Sequence, residues 1–388
     1  MNKPIKLKYI DLFSGIGGFH FAMDLLGFEC VFAAEIDKFA VETYYENFGI
    51  NSYCDVTKLD PIEIPKHDIL LAGFPCQAFS KAGQQRGLND TRGTLFFDIE
   101  KILKSHKTKY IVLENVRNLV SHDSGNTWRV IKENLKLIGY RLTEEPFIIS
   151  PHRVGVPHLR ERVFILGIYD PIRSEVPLNI NLKKSNFYSG NLSDFLDDKF
   201  EDKLLISDYE EMVLTAWNEF YLGLEEKIIG FPVWSSEFGK NYDTTNLPEW
   251  KRNFINKNRL LYEKNKKHIE GWLKKYNHLE HFVPTHRKFE WQAGSNINSL
   301  WEGIIQFRPS GIRVKKPDNF PALVAMVHIP IIGWQKRRIS VREAARLQSF
   351  PENFIPNNNQ SQAYKQLGNS VNVKIVELLT SNLILADC

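Results

Sequence analysis

The chain has 388 residues, 50 Lys and Arg against 46 Asp and Glu for a formal net charge of +4, with 43% hydrophobic and 25% charged residues. That is the make-up of a globular enzyme with one large domain and a smaller one. No apolar run approaches the roughly 20 residues of a membrane span, and Met1-Asn2-Lys3-Pro4 leads into a strand-like segment with no signal-type apolar core. Cys30, Cys54, Cys76 and Cys388 are too scattered for a disulfide framework and form no C-x-x-C pair. A cytoplasmic protein without a structural metal is therefore expected.

From residue 5 to about 168, short β-rich runs alternate with helical patterns, which predicts an α/β fold: a doubly wound, mostly parallel sheet with covering helices. The expected strands are 7–12, 30–34, 69–72, 110–113 and 162–168; the expected helices are 19–26, 38–47, 97–103 and 127–138, the last stopped by Gly139. The character changes after Tyr169. Residues 191–227 hold eleven acidic against three basic side chains, and 251–276 hold nine basic against two acidic. Ser207 and Glu210 form a capping-box pattern, after which Tyr209, Met212, Val213, Ala216, Trp217, Phe220 and Tyr221 follow helical spacing and read as the core of a second domain. The basic stretch interleaves charge with Phe254, Tyr262, Trp272 and Tyr276, so it is either a solvated helix face or a polyanion-facing surface. Ser340 and Glu343 make another capping box, opening a helix through Gln348 that Pro351 ends; Gln366 to Val371 turns into a final helix.

Chemistry-bearing residues gather at the strand ends, where open α/β sheets place their ligands. The loop Asp11-Leu12-Phe13-Ser14-Gly15-Ile16-Gly17-Gly18-Phe19 follows the first strand and opens a helix, Glu35 ends the second about 20 residues on, and Asp55 follows a further short segment. The glycines alone fit any strand-to-helix turn. With Glu35 placed for ribose hydroxyls, and without the Lys and Ser/Thr of a triphosphate loop, an adenosine cofactor without a phosphate string fits best, S-adenosylmethionine foremost.

Pro75-Cys76-Gln77 closes one buried-strand pattern and Glu114-Asn115-Val116 another. A thiol and a carboxyl at neighbouring strand ends suit covalent catalysis with a proton donor alongside. A carbon such as C5 of cytosine becomes nucleophilic once a thiolate adds at C6 while N3 is protonated. A free thiol is only a few per cent ionised at neutral pH, and Arg160 and Arg162 are candidate cationic neighbours, or else an edge-strand salt-bridge pattern with Glu161. Such an atom is unreachable inside a duplex; the glycine-punctuated 79–93 loop after Cys76 is either a lid on nucleic acid or a connector. A zinc-dependent deaminase is disfavoured because Phe79 stands where P-C-x-x-C needs its second cysteine. A catalytically silent DNA-binding module would have no use for Cys76 and Glu114.

Six motifs, Asp11 to Phe19, Gly73 to Gln77, Glu114 to Val116, Arg160-x-Arg162, Arg342 to Gln348 and Gly368 to Val371, occur in the order seen in the C5-cytosine-specific DNA methyltransferases, and the chain resembles the bacterial members that accompany type II restriction systems. The likeness covers 5–170 and 335–385, with Phe320 to Val324 resembling the family's closing segment of the target-recognition domain. It implies a catalytic, cofactor-binding domain at 1–174, a target-recognition domain at 175–335 and a return to the catalytic domain at 336–388. It further implies that Cys76 is the nucleophile, Glu114 contacts N3, Arg162 binds the base O2 and Arg160 supports the nucleophile. Phe13, Ser14, Gly15, Gly17, Gly18, Glu35, Ile36, Asp55, Val56, Pro75, Leu95, Asn369 and Val371 would line the S-adenosylmethionine site, with Phe13 on adenine, and Ser80, Lys81, Gln84, Gln85 and Arg86 would meet DNA. The implied substrate is double-stranded DNA, with tRNA cytosine as the alternative; the protein is expected to act as a monomer, off the membrane, whether or not a cognate endonuclease accompanies it. Many members have Gln where His158 stands and an aromatic where Ile36 stands.

Overall fold

The computed structural model describes residues 6–75, 95–180, 182, 190–227, 230–323 and 328–387, and the chain forms two compact units. The first comprises 1–190, 324–326 and 344–388; the second comprises 191–323 and 327–343. Relative to the expected boundaries, 175–190 belong to the first unit and 336–343 to the second. Among the described residues no helix is long and apolar enough to cross a membrane.

In the first unit, β1 (Lys8–Leu12), β2 (Glu29–Ala34), β3 (Ile69–Gly73) and β4 (Tyr110–Val116) run parallel in the order β2-β1-β3-β4. β1 and β3 are covered on both faces, which is why their sequences are nearly unbroken apolar runs and do not alternate: Tyr9, Ile10, Leu12 and Ile69 to Ala72 are all fully buried. The helices α1 (Gly18–Leu25), α2 (Lys38–Phe48), α3 (Leu95–His106) and α4 (Asn126–Ile138) fall where periodicity put them. Asp37 caps α2 by accepting from the amides of Phe39 and Ala40. Gly139 ends α4 at φ 111°, a conformation that L side chains resist.

Two strands escaped the sequence reading, and one expected strand runs the other way. β5 (Tyr140–Leu142) and β6 (Phe147–Ile149) are three residues each, too short to show a period, and both pair antiparallel with β7 (Arg162–Tyr169). β7 is itself antiparallel to β4, because no crossover helix separates it from β5 and β6. The last helix of the chain packs on α1, β4 and β7, latched by the Asp387 carboxylate, which accepts from Tyr110 at 2.8 Å and meets Lys109 at 2.6 Å.

The second unit is built on a six-stranded sheet, β8 (Pro232–Trp234), β9 (Lys288–Gln292), β10 (Ile304–Arg308), β11 (Gly311–Lys315), β12 (Ile331–Ile332) and β13 (Arg337–Arg338), ordered β13-β12-β10-β11-β9-β8. Helix α5 (Asp208–Leu222) carries the expected capping box of Ser207 and Glu210. Its stripe is core: Trp217 stacks on Phe289 with ring centroids 5.0 Å apart and meets Trp272 at 5.1 Å. Met212 departs from that expectation at 39% exposure, at the edge of the stripe. In α6 (Glu249–Lys264) and α7 (Lys266–Lys275), Tyr262 and Trp272 point into this core and Tyr276 packs against it, so these three aromatics among the basic residues serve packing.

The segment entering α8 (Val341–Leu347) is tied down by an ion pair with no solvent exposure on either side chain, Arg337 Nη2 to Glu343 Oε1 at 2.7 Å. Glu343 also accepts from the Ser340 amide at 2.6 Å and the Asp197 amide at 2.8 Å, completing the second capping box. Arg337→Met leaves the Glu343 charge buried without its cation, so it is expected to lower unfolding free energy by about 3–5 kcal/mol. Urea unfolding measures this, and a change below about 1 kcal/mol, the range of an exposed pair, contradicts it.

The remaining helices of the first unit are α9 (Gln360–Asn369) and α10 (Val373–Leu385); α9 was not expected, and it takes in Gln366 to Asn369 of the expected turn, so that only 370–372 turn into α10.

Candidate active site

β1 lies between β2 and β3, so successive connections leave it toward opposite sides and open a crevice at the carboxyl ends. A cavity of about 520 Å³ occupies that place, walled by the loops after β1, β2, β3 and β4 and by 365–371 from the far end of the chain. Its size is that of a small-molecule site.

The first loop is shaped to bring backbone close to a ligand. Phe13, at φ 57°, adopts a left-handed conformation rare for a non-glycine residue and lines the cavity. The Gly15 amide donates to Glu35 Oε2 at 2.9 Å, while Glu35 Oε1 accepts from the Ile36 and Asp37 amides at 2.8 Å each. The carboxylate thus ties the ends of β1 and β2 together at the cavity wall. Asp55 accepts from the Thr57 hydroxyl at 2.7 Å, and this bond, with Lys58 alongside, holds its carboxyl below the usual range. A Cβ on Gly18 would lie 2.6 Å from Ser370 Oγ and 2.8 Å from Val371 Cγ2, so only glycine lets the loop pack on the returning chain end. Gly17 is placed differently. It is absent from the cavity wall, and a Cβ there would meet the Phe48 ring at 2.2 Å, so it serves helix packing.

At the other end of the cavity, Glu114 on β4 is 8% exposed and its Oε1 lies 3.1 Å from Arg162 Nε. Register explains the meeting: on the antiparallel pair Val116 faces Arg162, two positions along from Glu114. Burial pushes the Glu114 carboxyl up, Arg162 and then Arg160 pull it down, and burial prevails, leaving it raised. Burial and then Arg162 push the Arg160 guanidinium down to about 9, which keeps it protonated at neutral pH. The rival reading of these arginines fails on geometry, since Glu161 pairs with Arg117 and not with either of them. Asn115 donates to the carbonyl of Phe74 at 2.8 Å, binding the β3 turn to the end of β4.

One cavity therefore gathers Glu114, Arg160, Arg162, Phe13, Ser14, Gly15, Gly18, Glu35, Ile36, Asp55, Val56, Pro75, Leu95, Asn369 and Val371. Ile36 lines it while 63% exposed, so this wall is open. Cys76, Ser80, Lys81, Gln84, Gln85 and Arg86 lie outside the described residues. Cys54, Lys365 and Gln366 also line the cavity and were not anticipated. Lys365 pairs with Asp37 at 3.2 Å and Gln366 donates to the Phe39 carbonyl at 2.8 Å, docking α9 on α2. Their position one turn before Gly368-Asn369 was the available signal.

The residues fit S-adenosylmethionine: carboxylates for hydroxyl and amine donors, apolar walls at Phe13, Val56 and Leu95, and a glycine cradle that a Cβ would fill. The profile of C-5 cytosine-specific DNA methylases matches residues 7–385. The chain is 30% identical over 473 aligned positions to the Type II methyltransferase M.AluI of Cellulosimicrobium cellulans, covering 96% of this chain and 90% of that protein. It is 33% identical over 420 positions to the Type II methyltransferase M.BanI of Aneurinibacillus aneurinilyticus, covering 98% and 96%. A crystal structure of a Spodoptera frugiperda DNMT2 mutant shares the fold, with a TM-score of 0.55 and 20% identity over 98% of this chain and 100% of that one. The chain belongs to the C-5 cytosine-specific DNA methylases, and it transfers a methyl group from S-adenosylmethionine to C5 of cytosine in DNA.

Proposed function

We propose that Cys76 is the nucleophile of this reaction and Glu114 its proton donor, acting on a cytosine turned out of duplex DNA. The observation that carries the assignment is the buried carboxyl of Glu114, which burial raises above its ordinary value although Arg162 lies 3.1 Å away, in the same cavity as Pro75, the residue that precedes Cys76. The Cys76 sulfur adds to C6, the C5–C6 π electrons move toward N3, and Glu114 delivers its proton there. Arg162 holds the base O2, and the positive field of Arg160 and Arg162 favours the thiolate over the thiol. S-adenosylmethionine supplies an electrophilic methyl group, which C5 accepts. Solvent water then takes the C5 proton, the electrons of that C–H bond restore the C5–C6 double bond as the thiolate leaves C6, and Glu114 recovers the N3 proton. Phe13, Glu35, Asp55, Leu95 and Asn369 hold the cofactor.

Ser80, Lys81, Gln84, Gln85 and Arg86 meet DNA from the loop after Cys76, and the unit built on β8 to β13 serves target recognition. The enzyme works as a monomer in a bacterial cytoplasm, as the modification half of a type II restriction-modification system. Support comes from a cavity lined by one unit of a single chain and from the thiols Cys30 and Cys54, which are free. The family and its DNA substrate favour duplex DNA over tRNA.

DNA carrying 5-fluorocytosine traps the addition product, because fluorine cannot leave as a proton does. The wild-type protein is expected to give a covalent complex and Cys76→Ser none; an unchanged yield from the serine variant refutes the assignment. Glu114→Gln keeps a hydrogen-bond donor for N3 but no transferable proton, so kcat is expected to fall by about 10²–10³ at similar KM for DNA. The raised Glu114 carboxyl has a sign: the protonated acid is present at low pH and lost as pH rises through its folded-state value. Gly18→Ala places a Cβ against Ser370 and Val371; overpacking of about 1–3 kcal/mol should raise the KM for S-adenosylmethionine roughly fivefold or more. An unchanged KM contradicts the cradle.

A further inference from the structure

Two backbone carbonyls bind the chain's last stretch to the segment that bears the arginines. The Leu347 carbonyl, ending α8, accepts from His158 Nδ1 at 3.1 Å and from Asn372 Nδ2 at 3.4 Å. The Ser370 carbonyl accepts from Arg160 Nη2 at 3.1 Å and from Gln348 Nε2 at 3.3 Å. His158 and Arg160 are two residues apart and Leu347 and Gln348 are adjacent, so each side of the junction offers one group to each carbonyl. The Ser150 hydroxyl steadies the first side, donating to the His158 carbonyl at 3.3 Å and accepting the Arg160 amide at 2.8 Å. On the second side Ser370 belongs to the cavity wall and lies against Gly18.

A carbonyl only accepts, so the proton of this ring sits on Nδ1. The ring has no solvent exposure, and burial, with Arg160 and Arg162 nearby, pushes its pKa down to about 3 despite the Leu347 carbonyl. At working pH it is a neutral donor with one tautomer.

We propose that His158 is a positioning residue: by donating from Nδ1 to the Leu347 carbonyl it fixes the segment carrying Arg160 and Arg162 against the cavity wall formed by 368–371, and so sets where the Arg162 guanidinium meets the target base and where that of Arg160 supports the nucleophile. The proposal rests on the reading of Arg160 and Arg162 given above. A histidine that merely fills the core would move thermal stability when lost. One that positions the arginines moves turnover and leaves cofactor affinity in place.

Steady-state kinetics of His158→Leu, which fills the space without a donor, are compared with His158→Gln, which restores one. The leucine variant is expected to lose about tenfold to a hundredfold in kcat, the cost of a misplacement near 1 Å. Its KM for S-adenosylmethionine should stay within about twofold, and the glutamine variant should recover most of the loss. A leucine variant with wild-type kcat overturns the proposal, as does a loss in kcat that glutamine does not repair. Should the leucine variant fail to fold, ¹⁵N NMR of histidine-labelled wild-type protein decides, with the His158→Gln spectrum assigning the signal. A neutral ring protonated at Nδ1 near pH 5 supports it; a ring charged there, or protonated at Nε2, overturns it. Arg162→Met run in parallel separates the two failures. Wild-type kcat in that variant refutes the base-contact reading, whereas a crippled Arg162→Met beside an intact His158→Leu refutes only the role of His158.

Discussion

The contest at Glu114 between burial and two guanidiniums organises the site. A carboxyl taken out of water resists ionisation, and a cation at 3.1 Å restores part of what water supplied. Had burial acted alone, the acid would be inert and Arg162 would lack a counter-charge. Had Arg162 won outright, the carboxylate would hold its charge and have no proton for a ring nitrogen. The intermediate outcome depends on backbone register, because the β4–β7 pairing is what sets Arg162 two positions from Glu114. The same β4 end reaches across to β3 through Asn115 and the Phe74 carbonyl, so the end of β3 that leads toward Pro75 is tied to the acid.

The rest of the first unit delivers pieces to that place. The crevice exists because β1 separates β2 from β3, and the Gly15 amide and Glu35 carboxylate join the first two strand ends at the cavity wall. The chain's far end completes the wall, held by α9 on α2, by α10 on α1 and by the carbonyls of Leu347 and Ser370. A cofactor pocket assembled from residues as distant in sequence as Phe13 and Val371 is stable only because these contacts bury apolar surface around it.

Much of this was legible beforehand because the informative residues are local. A glycine loop after a strand, an acid at the next strand end and a carboxyl ending β4 are short-range patterns, and all but Gly17 of the residues expected at the cofactor line the cavity. Gly17 lies outside the cavity lining with its Cα against the Phe48 ring, and a glycine needed for helix packing and one needed for ligand approach look alike in sequence. The direction of β7 was hidden since three-residue strands carry no period, and direction is a property of connections. In the second unit the opposite charge runs invited a polyanion surface, yet Lys264 pairs with Glu226 and Lys275 with Glu219, and Trp272 is core. Folding brings the two charge runs together at those two pairs. Lys365 and Gln366 escaped notice because their place at the site follows from α9 docking on α2, a tertiary fact.

The state of the Glu114 carboxyl tests the account most directly. Carboxyl ¹³C NMR of the glutamate-labelled free enzyme, with Glu114→Gln to assign the signal, gives its titration midpoint. The account predicts a midpoint above 4.5, the ordinary glutamate value against which burial and the arginines compete. A midpoint below 4.5 would mean that Arg162 and Arg160 overcome burial, and Glu114 could not then be the proton reservoir on which the chemistry depends.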